Sequence, residues 1–295
     1  MSAMVHSDPE LLHESALQER ELGDAETLVR EAGWNQVAAD WRIFLELGTV
    51  YAVRNSARRV VATAAVLLHG GRFAWISMVL VASEYRRQGL ATRLLRRCIR
   101  DLLARGLVPV VDATPAGRRV YVGLGFQDRW SFQRYSAPYP RPDGGAPPTP
   151  SDTLIRPISD DDWSFLCRYD AHAFGADRSI LLTRLRGRAS GAEFAAWRGG
   201  KILGFVLGRN GRSAMQLGPL TANDHATALA LLERALAGTC EPIYIDVADS
   251  KSMLRRCLRD RGFTAQRPFM RMVHGRGTEF GDVARTMAVA GPELG

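Results

Sequence analysis

Apolar and polar residues follow one another along the chain in two successive rounds of similar order. The first round reads helix, helix, strands, helix, strand, helix and strand, judged by whether apolar residues recur at helical or at alternating spacing. Its third helix has the clearest apolar stripe at three- and four-residue spacing, formed by Leu94, Leu95, Cys98, Ile99, Leu102 and Leu103. The predicted helices are 25–32, 36–47, 92–105 and a segment that follows Thr114 and Pro115 and ends near Gly125, and the predicted strands include 50–54, 60–69, 73–81 and 107–111.

The second round repeats this plan after residue 150. Its predicted helices are 160–173, 178–185, 226–237 and 252–261, and its predicted strands are 154–157, 192–198, 202–209, 214–217 and 242–247. Short sequences recur as well: Gly125-Phe126 returns as Gly262-Phe263, Phe132-Gln133-Arg134 returns as Phe269-Met270-Arg271, and the segment that ends at Asp112 is echoed by the one that ends at Asp246. This recurrence indicates an internal duplication, and two copies predict two similar domains rather than a solenoid.

A segment rich in proline and glycine separates the two rounds. Residues 139–150 contain five prolines and two glycines, which excludes a helix or a central strand there. The predicted organisation is therefore an N-terminal domain (1–138), a Pro/Gly linker (139–152), a C-terminal domain (153–276) and a tail (277–295). The predicted fold class is α/β (α+β), with a mixed, mostly antiparallel sheet flanked by helices in each domain.

Composition narrows the class of protein. At 46% hydrophobic and 24% charged residues the 295-residue chain has a globular composition. Its four cysteines form no C-x-x-C pair and its six histidines show no metal-ligand spacing, so we expect neither a disulfide scaffold nor a metal site. No apolar run approaches the ~20 residues of a membrane helix, and the acidic N-terminus does not resemble a signal peptide. We therefore expect a cytoplasmic protein with no membrane partner.

The net charge of +8 is informative only through its location. Arginine supplies almost all of the cations, a bias that genome composition explains better than a nucleic-acid site, and no recognition motif for nucleic acid is present. Residues 1–50 carry a net charge of −7, whereas residues 51–105 carry +9. This concentration of charge predicts an anionic ligand at the segment 51–105.

The turn that follows strand 73–81 suits such an anion. A strand that enters a helix through a turn with Gly89 and the small Ala91 presents unpaired amides and the positive end of the helix dipole. Neighbouring arginines raise the local potential: Arg86, Arg87, Arg93, Arg96 and Arg97. The turn is therefore a candidate phosphate cradle, and the alternative is an ordinary strand–turn–helix on an arginine-rich surface.

The sequence Arg86-x-x-Gly89-x-Ala91 resembles the R/Q-x-x-G-x-G/A motif of the GNAT superfamily of N-acetyltransferases, with Ala91 in place of the commoner glycine. In that family this turn binds the pyrophosphate of acetyl-CoA, and the preceding strand binds the pantetheine and the thioester carbonyl. Carried over by position, the resemblance implies the cofactor-binding residues Val79, Leu80, Val81, Arg86, Arg87, Gln88, Gly89, Leu90, Ala91 and Thr92.

A second motif implies a catalytic residue. Tyr121-x-x-x-Gly125-Phe126 resembles the family's Y-x-x-x-G-F, whose tyrosine often protonates the departing CoA thiolate. The other interpretation of Tyr121 is a ring that packs a helix against the sheet. The resemblance implies direct attack of a neutral amine on the thioester, with the oxyanion stabilised by amides of the strand. The sequence does not identify the base that deprotonates the amine.

Candidate acceptor contacts come from both rounds. Trp34 and Asn35 lie between the first two helices, where the family usually forms its acceptor wall, and in the second round Asp177 and Arg178 are candidates together with the nearby Asp170. The other interpretations are that Trp34 anchors the core, that Asn35 caps the next helix, and that the charged residues form helix caps and surface ion pairs.

The second round resembles the degenerate C-terminal GNAT-like domain of many bacterial acetyltransferases, on Phe174 to Arg178, Leu217 to Leu220 and Gly262-Phe263. It lacks the phosphate motif, and Leu258 replaces the tyrosine. The resemblance therefore implies an acetyl-CoA-dependent N-acetyltransferase whose first domain acts on the primary amine of a small molecule, as a monomer or homodimer. The alternative is a non-catalytic acyl-CoA-binding sensor or interaction module with the same fold.

Overall fold

The computed structural model describes residues 12–140, 152–275 and 280–295. The helices are α1 (Leu22–Glu31), α2 (Ala38–Leu47), α3 (Leu90–Ala104), α4 (Pro115–Gly123), α5 (Trp163–Phe174), α6 (Ser179–Leu185), α7 (His225–Ala237) and α8 (Ser252–Asp260). The strands are β1 (His13–Ala16), β2 (Gly48–Arg54), β3 (Val60–His69), β4 (Phe73–Val81), β5 (Val108–Ala113), β6 (Phe126–Ala137), β7 (Leu154–Pro157), β8 (Phe194–Arg198), β9 (Lys201–Arg209), β10 (Met215–Ala222), β11 (Ile243–Ala248), β12 (Thr264–His274) and β13 (Thr286–Ala288).

The described strands form one continuous sheet in the order β1-β2-β3-β4-β5-β12-β6-β11-β13-β10-β9-β8-β7. Most neighbours are antiparallel, whereas β4 with β5 and β10 with β11 are parallel. Helices flank this sheet, so the predicted mixed fold with a mostly antiparallel sheet is confirmed. No helix within the described ranges is long and apolar enough to cross a bilayer.

The last long strand of each half pairs with the other half. In the middle of the sheet β6 pairs with β12, and on their outer edges β12 pairs with β5 and β6 pairs with β11. Phe132 and Phe269 are register partners at this junction, and their rings stack with centroids 5.1 Å apart. The backbone hydrogen bonding therefore crosses the boundary between the two predicted domains.

The recurrence of Phe-x-Arg and of the aspartate segments has a physical cause at this junction. Arg134 of β6 donates to both carboxylate oxygens of Asp246 at 2.8 and 2.7 Å. Arg271 of β12 makes the same pair of bonds to Asp112, each 2.8 Å long. Each ion pair thus joins one half to the other, and the duplicated residues bind each other reciprocally.

The C-terminal segment is an integral part of this fold. Strand β13 lies between β10 and β11, where Ala288 pairs with Leu220 on one side and Val247 on the other. The chain then continues inward, and Ala290 and Leu294 are completely buried. The prediction of a tail at 277–295 is therefore wrong for its described part, because β13 fills a gap in the sheet and residues after it are buried. Residues 276–279, like residues 141–151 of the predicted linker, lie outside the described residues.

The helices pack as the apolar stripes predict, with one exception. Five of the six predicted stripe residues of α3 are buried against the sheet, whereas Leu103 is 49% exposed. One hydrophobic cluster also extends from the first half into α5 and α6, which carry Leu166, Leu181 and Leu185. The two halves therefore share apolar core as well as sheet.

Candidate active site

A cleft opens in the sheet where β4 and β5 diverge. The two strands pair only from Phe73 to Trp75 of β4, so the remainder of β4 has a free edge on the side of β5. Met78 has a φ of +48°, an unusual value for a residue other than glycine, and its carbonyl accepts a 2.8 Å bond from the Thr63 hydroxyl. Backbone held in such a conformation is often found at functional sites.

The turn after β4 presents backbone amides to one end of this cleft. Gly89 caps α3 with a φ of +78°, and Arg87 has a φ of +63° although it is not glycine. The first amides of α3 have no acceptor within the helix, as at any helix N-terminus. Arg86 donates from Nε to the Val81 carbonyl at 3.1 Å, and Gln88 donates to the Glu84 carbonyl at 3.3 Å, which fixes the turn.

The positive charge near the turn is smaller than the sequence suggests. Glu14 of β1 accepts from Arg93 at 2.7 Å and from Arg97 at 2.9 Å, so the acidic first segment neutralises part of the basic second one. Arg87 and Arg96 are exposed and have no ion pair with any described residue. The charge available to an anion at the turn therefore comes from these two side chains, the Arg86 guanidinium and the amides of α3.

Tyr121 faces the same cleft from α4. Thr114 caps α4 by accepting from the Gly117 amide at 3.2 Å, and the Tyr121 ring makes an edge contact with Phe126 at 5.7 Å between centroids. A Cβ at Gly117 would lie 3.1 Å from the ring, so glycine leaves room for it. Burial, with a smaller effect of the Cys98 thiol, raises the pKa of Tyr121 to about 12. The phenol is therefore a proton donor at neutral pH.

These groups surround one cavity of about 230 Å³. The first half lines it with residues of β4, α3, α4, β5 and the loop before α2, which are Trp34, Gln36, Ile76, Ser77, Met78, Val79, Ala91, Leu95, Asp112, Thr114, Gly117, Val120 and Tyr121. The exchanged strands and the C-terminal segment complete it with Arg134, Arg267, Phe269, Pro292 and Glu293. Burial raises the pKa of Asp112, although the adjacent Arg271 guanidinium opposes this shift.

The structure brings many of the predicted site residues together. Val79 and Ala91 from the cofactor prediction, Tyr121 from the catalytic prediction and Trp34 from the acceptor prediction all line this cavity. The other predicted cofactor residues lie at the end of β4, in the turn after it or in the first turn of α3: Leu80, Val81, Arg86, Arg87, Gln88, Gly89, Leu90 and Thr92.

Asn35 requires a correction. Its side chain is buried, donates to the Ala214 carbonyl at 2.9 Å and accepts from the amides of Ser213 and Ala214 at 2.9 and 3.2 Å. It is not among the residues around the cavity, and the cap of α2 is Val37 rather than Asn35. Asn35 therefore joins the two halves, because its amide matches backbone groups of the β9–β10 loop.

Asp177 and Arg178 also lie away from the cavity. Asp177 is exposed and accepts from the Ser179 amide at 2.8 Å at the start of α6. Arg178 is buried, pairs with Asp170 at 2.7 and 2.9 Å, and donates to the Gly295 carbonyl at 2.8 Å. Their prediction as acceptor contacts is therefore wrong: Asp177 binds a backbone amide at the start of α6, and Arg178 forms a buried ion pair.

Comparison with known proteins identifies both halves. Residues 15–126 match the model of the acetyltransferase (GNAT) family, and residues 166–282 match a second acetyltransferase (GNAT) domain model. The chain is a tandem member of the GNAT acetyltransferase family. It is an acyltransferase enzyme by this membership.

Relatives of similar length support this assignment. The uncharacterized N-acetyltransferase YitH of Bacillus subtilis is 25% identical over 252 residues, which cover 84% of this chain and 86% of YitH. A protein of Pyrococcus horikoshii assigned as an acetyltransferase has a similar fold, with a TM-score of 0.75, 18% identity and coverage of 99% of this chain and 100% of that one. A tandem GNAT protein from the clavulanic acid pathway gives a TM-score of 0.63 at 16% identity, with 91% and 100% covered.

In the second GNAT domain the corresponding gap between strands is filled. Its β10 and β11 pair from Met215 to Leu217 and then diverge as β4 and β5 do, but β13 occupies the gap. Asp224 caps α7, the helix that follows β10, and its carboxylate accepts from the Thr227 amide at 2.8 Å. The position that would hold pyrophosphate in this domain thus carries an acidic cap.

Proposed function

We propose that this GNAT protein transfers an acetyl group from acetyl-CoA to the primary amine of a small molecule by direct attack on the thioester. One observation carries the proposal: the free edge of β4, the amides at the start of α3 and the protonated Tyr121 phenol all border a single cleft. The cleft in the second domain contains β13, which favours the first domain as the site of transfer.

The pyrophosphate, pantetheine and thioester of acetyl-CoA match, in that order, the binding groups found along this cleft. In this proposal the pyrophosphate binds at the turn, where Arg87 and Gly89 have positive φ and the first amides of α3 have no acceptor within the helix. The pantetheine amides bind along the free edge of β4, where backbone groups lack a strand partner beyond Trp75. The thioester then lies near Met78, which lines the same cavity as Tyr121.

The transfer balances as follows. The acceptor ammonium first loses a proton, and the neutral nitrogen then attacks the thioester carbon, so that a C–N bond forms and the carbonyl oxygen becomes an oxyanion. Amides of β4 stabilise that oxyanion. The C–S bond breaks as the tetrahedral intermediate collapses, and the nitrogen releases its second proton to solvent. Tyr121 donates its phenolic proton to the thiolate, and the resulting phenolate regains a proton from solvent. The products are the N-acetylated amine and CoA.

Calorimetric titration with acetyl-CoA and a thiol-release assay over a panel of small primary amines test the proposal. We expect saturable binding of acetyl-CoA and amine-dependent release of CoA. Binding of acetyl-CoA with no CoA release above that of a protein-free control, for any amine in the panel, would favour the alternative of a non-catalytic acyl-CoA sensor. Failure to bind acetyl-CoA or CoA would reject both functions.

A further inference from the structure

A buried carboxylate with an unused oxygen faces the cavity. The Glu293 side chain is only 3% exposed, and one of its oxygens, Oε1, pairs with the Arg209 guanidinium. Its second oxygen, Oε2, is buried and has no hydrogen-bond partner within the described residues, although Glu293 lines the cavity. An unsatisfied buried carboxylate oxygen costs free energy, so a donor from a bound ligand would relieve a real deficit.

The neighbours of Glu293 hold it in this position. Arg209 is itself buried, donates to the Ala290 carbonyl at 2.7 Å and lies 3.2 Å from the Asp40 carboxylate. These contacts fix the guanidinium that binds Oε1 and leave Oε2 free. The carboxylate of Asp112 also lines the cavity, but both of its oxygens accept from Arg271. Among the described residues around the cavity, Glu293 therefore carries a carboxylate oxygen that accepts no hydrogen bond.

Gln36 offers a second acceptor to the same ligand. It lines the cavity, is 5% exposed, and its Oε1 is buried without a partner in the described residues. A primary ammonium has three N–H donors and no acceptor. Two unpaired acceptor oxygens, one of them charged, therefore match an ammonium better than they match a hydroxyl or a neutral amide.

An unpaired cation lines the same cavity. Arg267 follows a register shift in β12 between Ala265 and Arg267, and such bulges redirect side chains. It is half-buried and makes no ion pair or hydrogen bond with any described residue. Arg134, by contrast, is neutralised by Asp246. The Arg267 guanidinium is thus available for bidentate binding of a carboxylate.

We propose that the acceptor is an amine that also carries a carboxylate, with the amine at Glu293 and Gln36 and the carboxylate at Arg267. Trp34 and Phe269 supply apolar surface for the carbon skeleton and side chain of this acceptor. This inference rests on the proposed function and names its substrate class, an amino acid or a close derivative. Glu293 then accepts the proton that the ammonium loses before attack, and it returns that proton to solvent after the product leaves.

Matched pairs of amines test this proposal. The wild-type protein receives L-phenylalanine and 2-phenylethylamine, or L-leucine and 3-methylbutylamine, which differ by the carboxylate. We expect kcat/KM to be at least tenfold higher for each amino acid. In Arg267→Gln this ratio is expected to fall at least fivefold. Because both proteins receive the same amines, differences in amine ionisation cancel in the comparison.

Variants separate the two ends of the site. Glu293→Gln is expected to lower kcat/KM at least tenfold for both members of a pair and so leave their ratio unchanged. Arg259→Gln, which removes an exposed arginine on α8, serves as the control and is expected to change neither quantity. Circular dichroism shows whether Glu293→Gln folds. If it does not, Arg267→Gln alone decides the proposal.

The outcomes distinguish this inference from the proposed function. CoA release with equal rates for both members of each pair, or a ratio unaltered in Arg267→Gln, overturns the inference while acetyl transfer stands. Calorimetry of the amino acids with CoA-saturated protein gives a readout without turnover. Amino-acid binding that is lost in Arg267→Gln supports the assigned ligand class even without CoA release. If no amino acid binds and kcat/KM shows no preference for amino acids over the matched amines, the proposal is rejected.

Discussion

At the scale of single residues, the protonated phenol of Tyr121 is the clearest chemical group of the cavity. If it protonates the departing thiolate, Tyr121→Phe removes the proton and keeps the ring. We expect kcat to fall by about 10²-fold or more, because general acid catalysis contributes about 10²–10⁴. The affinity for CoA measured by calorimetry should change little. Tyr139→Phe, at a tyrosine that is 74% exposed, is the control.

The pH profile gives a second check on Tyr121. With a pKa of about 12, the phenol keeps its proton across the range in which most amines lose theirs. The rate should therefore rise with pH as the acceptor amine deprotonates and show no fall from the tyrosine below about pH 11. A decrease near pH 9 that is absent in Tyr121→Phe would contradict this assignment.

His69 makes the fold sensitive to acid. It is buried among the rings of Phe73, Trp75 and Phe174, and burial, with the charges of Arg178 and Arg271, lowers its pKa to about 3. Between about pH 6.5 and 3 the unfolded chain binds a proton at His69, whereas the folded protein does not. The contribution of neutral His69 to the stability of the fold is therefore complete above pH ~6.5 and is lost as the pH falls toward 3.

Denaturant unfolding at several pH values measures this effect. Between about pH 6 and 3.5 His69 should contribute a slope of about 1.4 kcal/mol in the free energy of unfolding for each pH unit. His69→Leu should remove that slope. His172→Leu, at an exposed histidine, should retain it. An equal slope in wild type and His69→Leu would refute the assignment.

Residue roles could be predicted from the sequence where a local motif defines them. The motif of Gly89 and Ala91 and the position of Tyr121 depend on short stretches of chain, and the structure brings Ala91 and Tyr121 to one cavity. Asn35 and Arg178 could not be predicted in the same way, because their partners lie far away in the sequence. Glu293 carries no local signal at all: its role depends on where the C-terminal segment packs.

At the scale of elements, the turn before α3 depends on one glycine. Gly89→Ala places a Cβ in open space, so it clashes with no neighbour but strains a backbone with φ of +78° by about 1–2 kcal/mol. Gly106→Ala, at the other end of α3, has the same open surroundings and a φ of +68°. Both variants should lose similar stability in thermal unfolding.

Only the first of these variants should lose cofactor. If the pyrophosphate binds at this turn as proposed, the added methyl group of Gly89→Ala blocks its approach to the backbone, and the affinity for CoA should fall by at least about tenfold, or about 1.4 kcal/mol. Gly106→Ala should bind CoA as the wild type does. Calorimetry on the pair decides the matter, and equal affinities would place the phosphates elsewhere.

The elements themselves were largely predictable, whereas their pairing was not. The strands 60–69 and 73–81 and the stripe of α3 follow from local periodicity, and their bounds agree closely with the structure. The predicted strand 214–217 continues to Ala222, and β13 was not predicted, because its three residues are too few for a pattern. Periodicity identifies strands but not the strands with which they pair, so it could not predict the exchange of β6 and β12.

At the scale of the whole molecule, the exchange of β6 and β12 ties the halves together. A fragment of residues 1–140 would leave β5 without its β12 neighbour and β6 without either partner. It would also leave Arg134 without Asp246, and breaking a buried ion pair costs about 3–5 kcal/mol. We expect this fragment to be unfolded by circular dichroism, and we expect the intact chain to unfold in a single transition.

Co-expression provides the complementary measurement. Residues 1–140 and 152–295 produced as two chains should associate into one folded complex, because the sheet does not require the covalent connection. Size-exclusion chromatography should show equal amounts of both chains in one peak. If residues 1–140 fold and bind CoA by themselves, this expectation is contradicted, because the strands of the first half then form a stable sheet without β11 and β12.

The placement of β13 also determines how many cofactor molecules the protein can hold. Duplicated enzymes with two open sites can bind two ligands and respond cooperatively. Here β13 fills the second cleft, and the residues after it continue to the first, where they contribute Glu293. Titration should therefore reach a stoichiometry of one CoA per chain, with a hyperbolic isotherm. The half whose cleft is filled by β13 thus supplies part of the wall of the cavity in the other half.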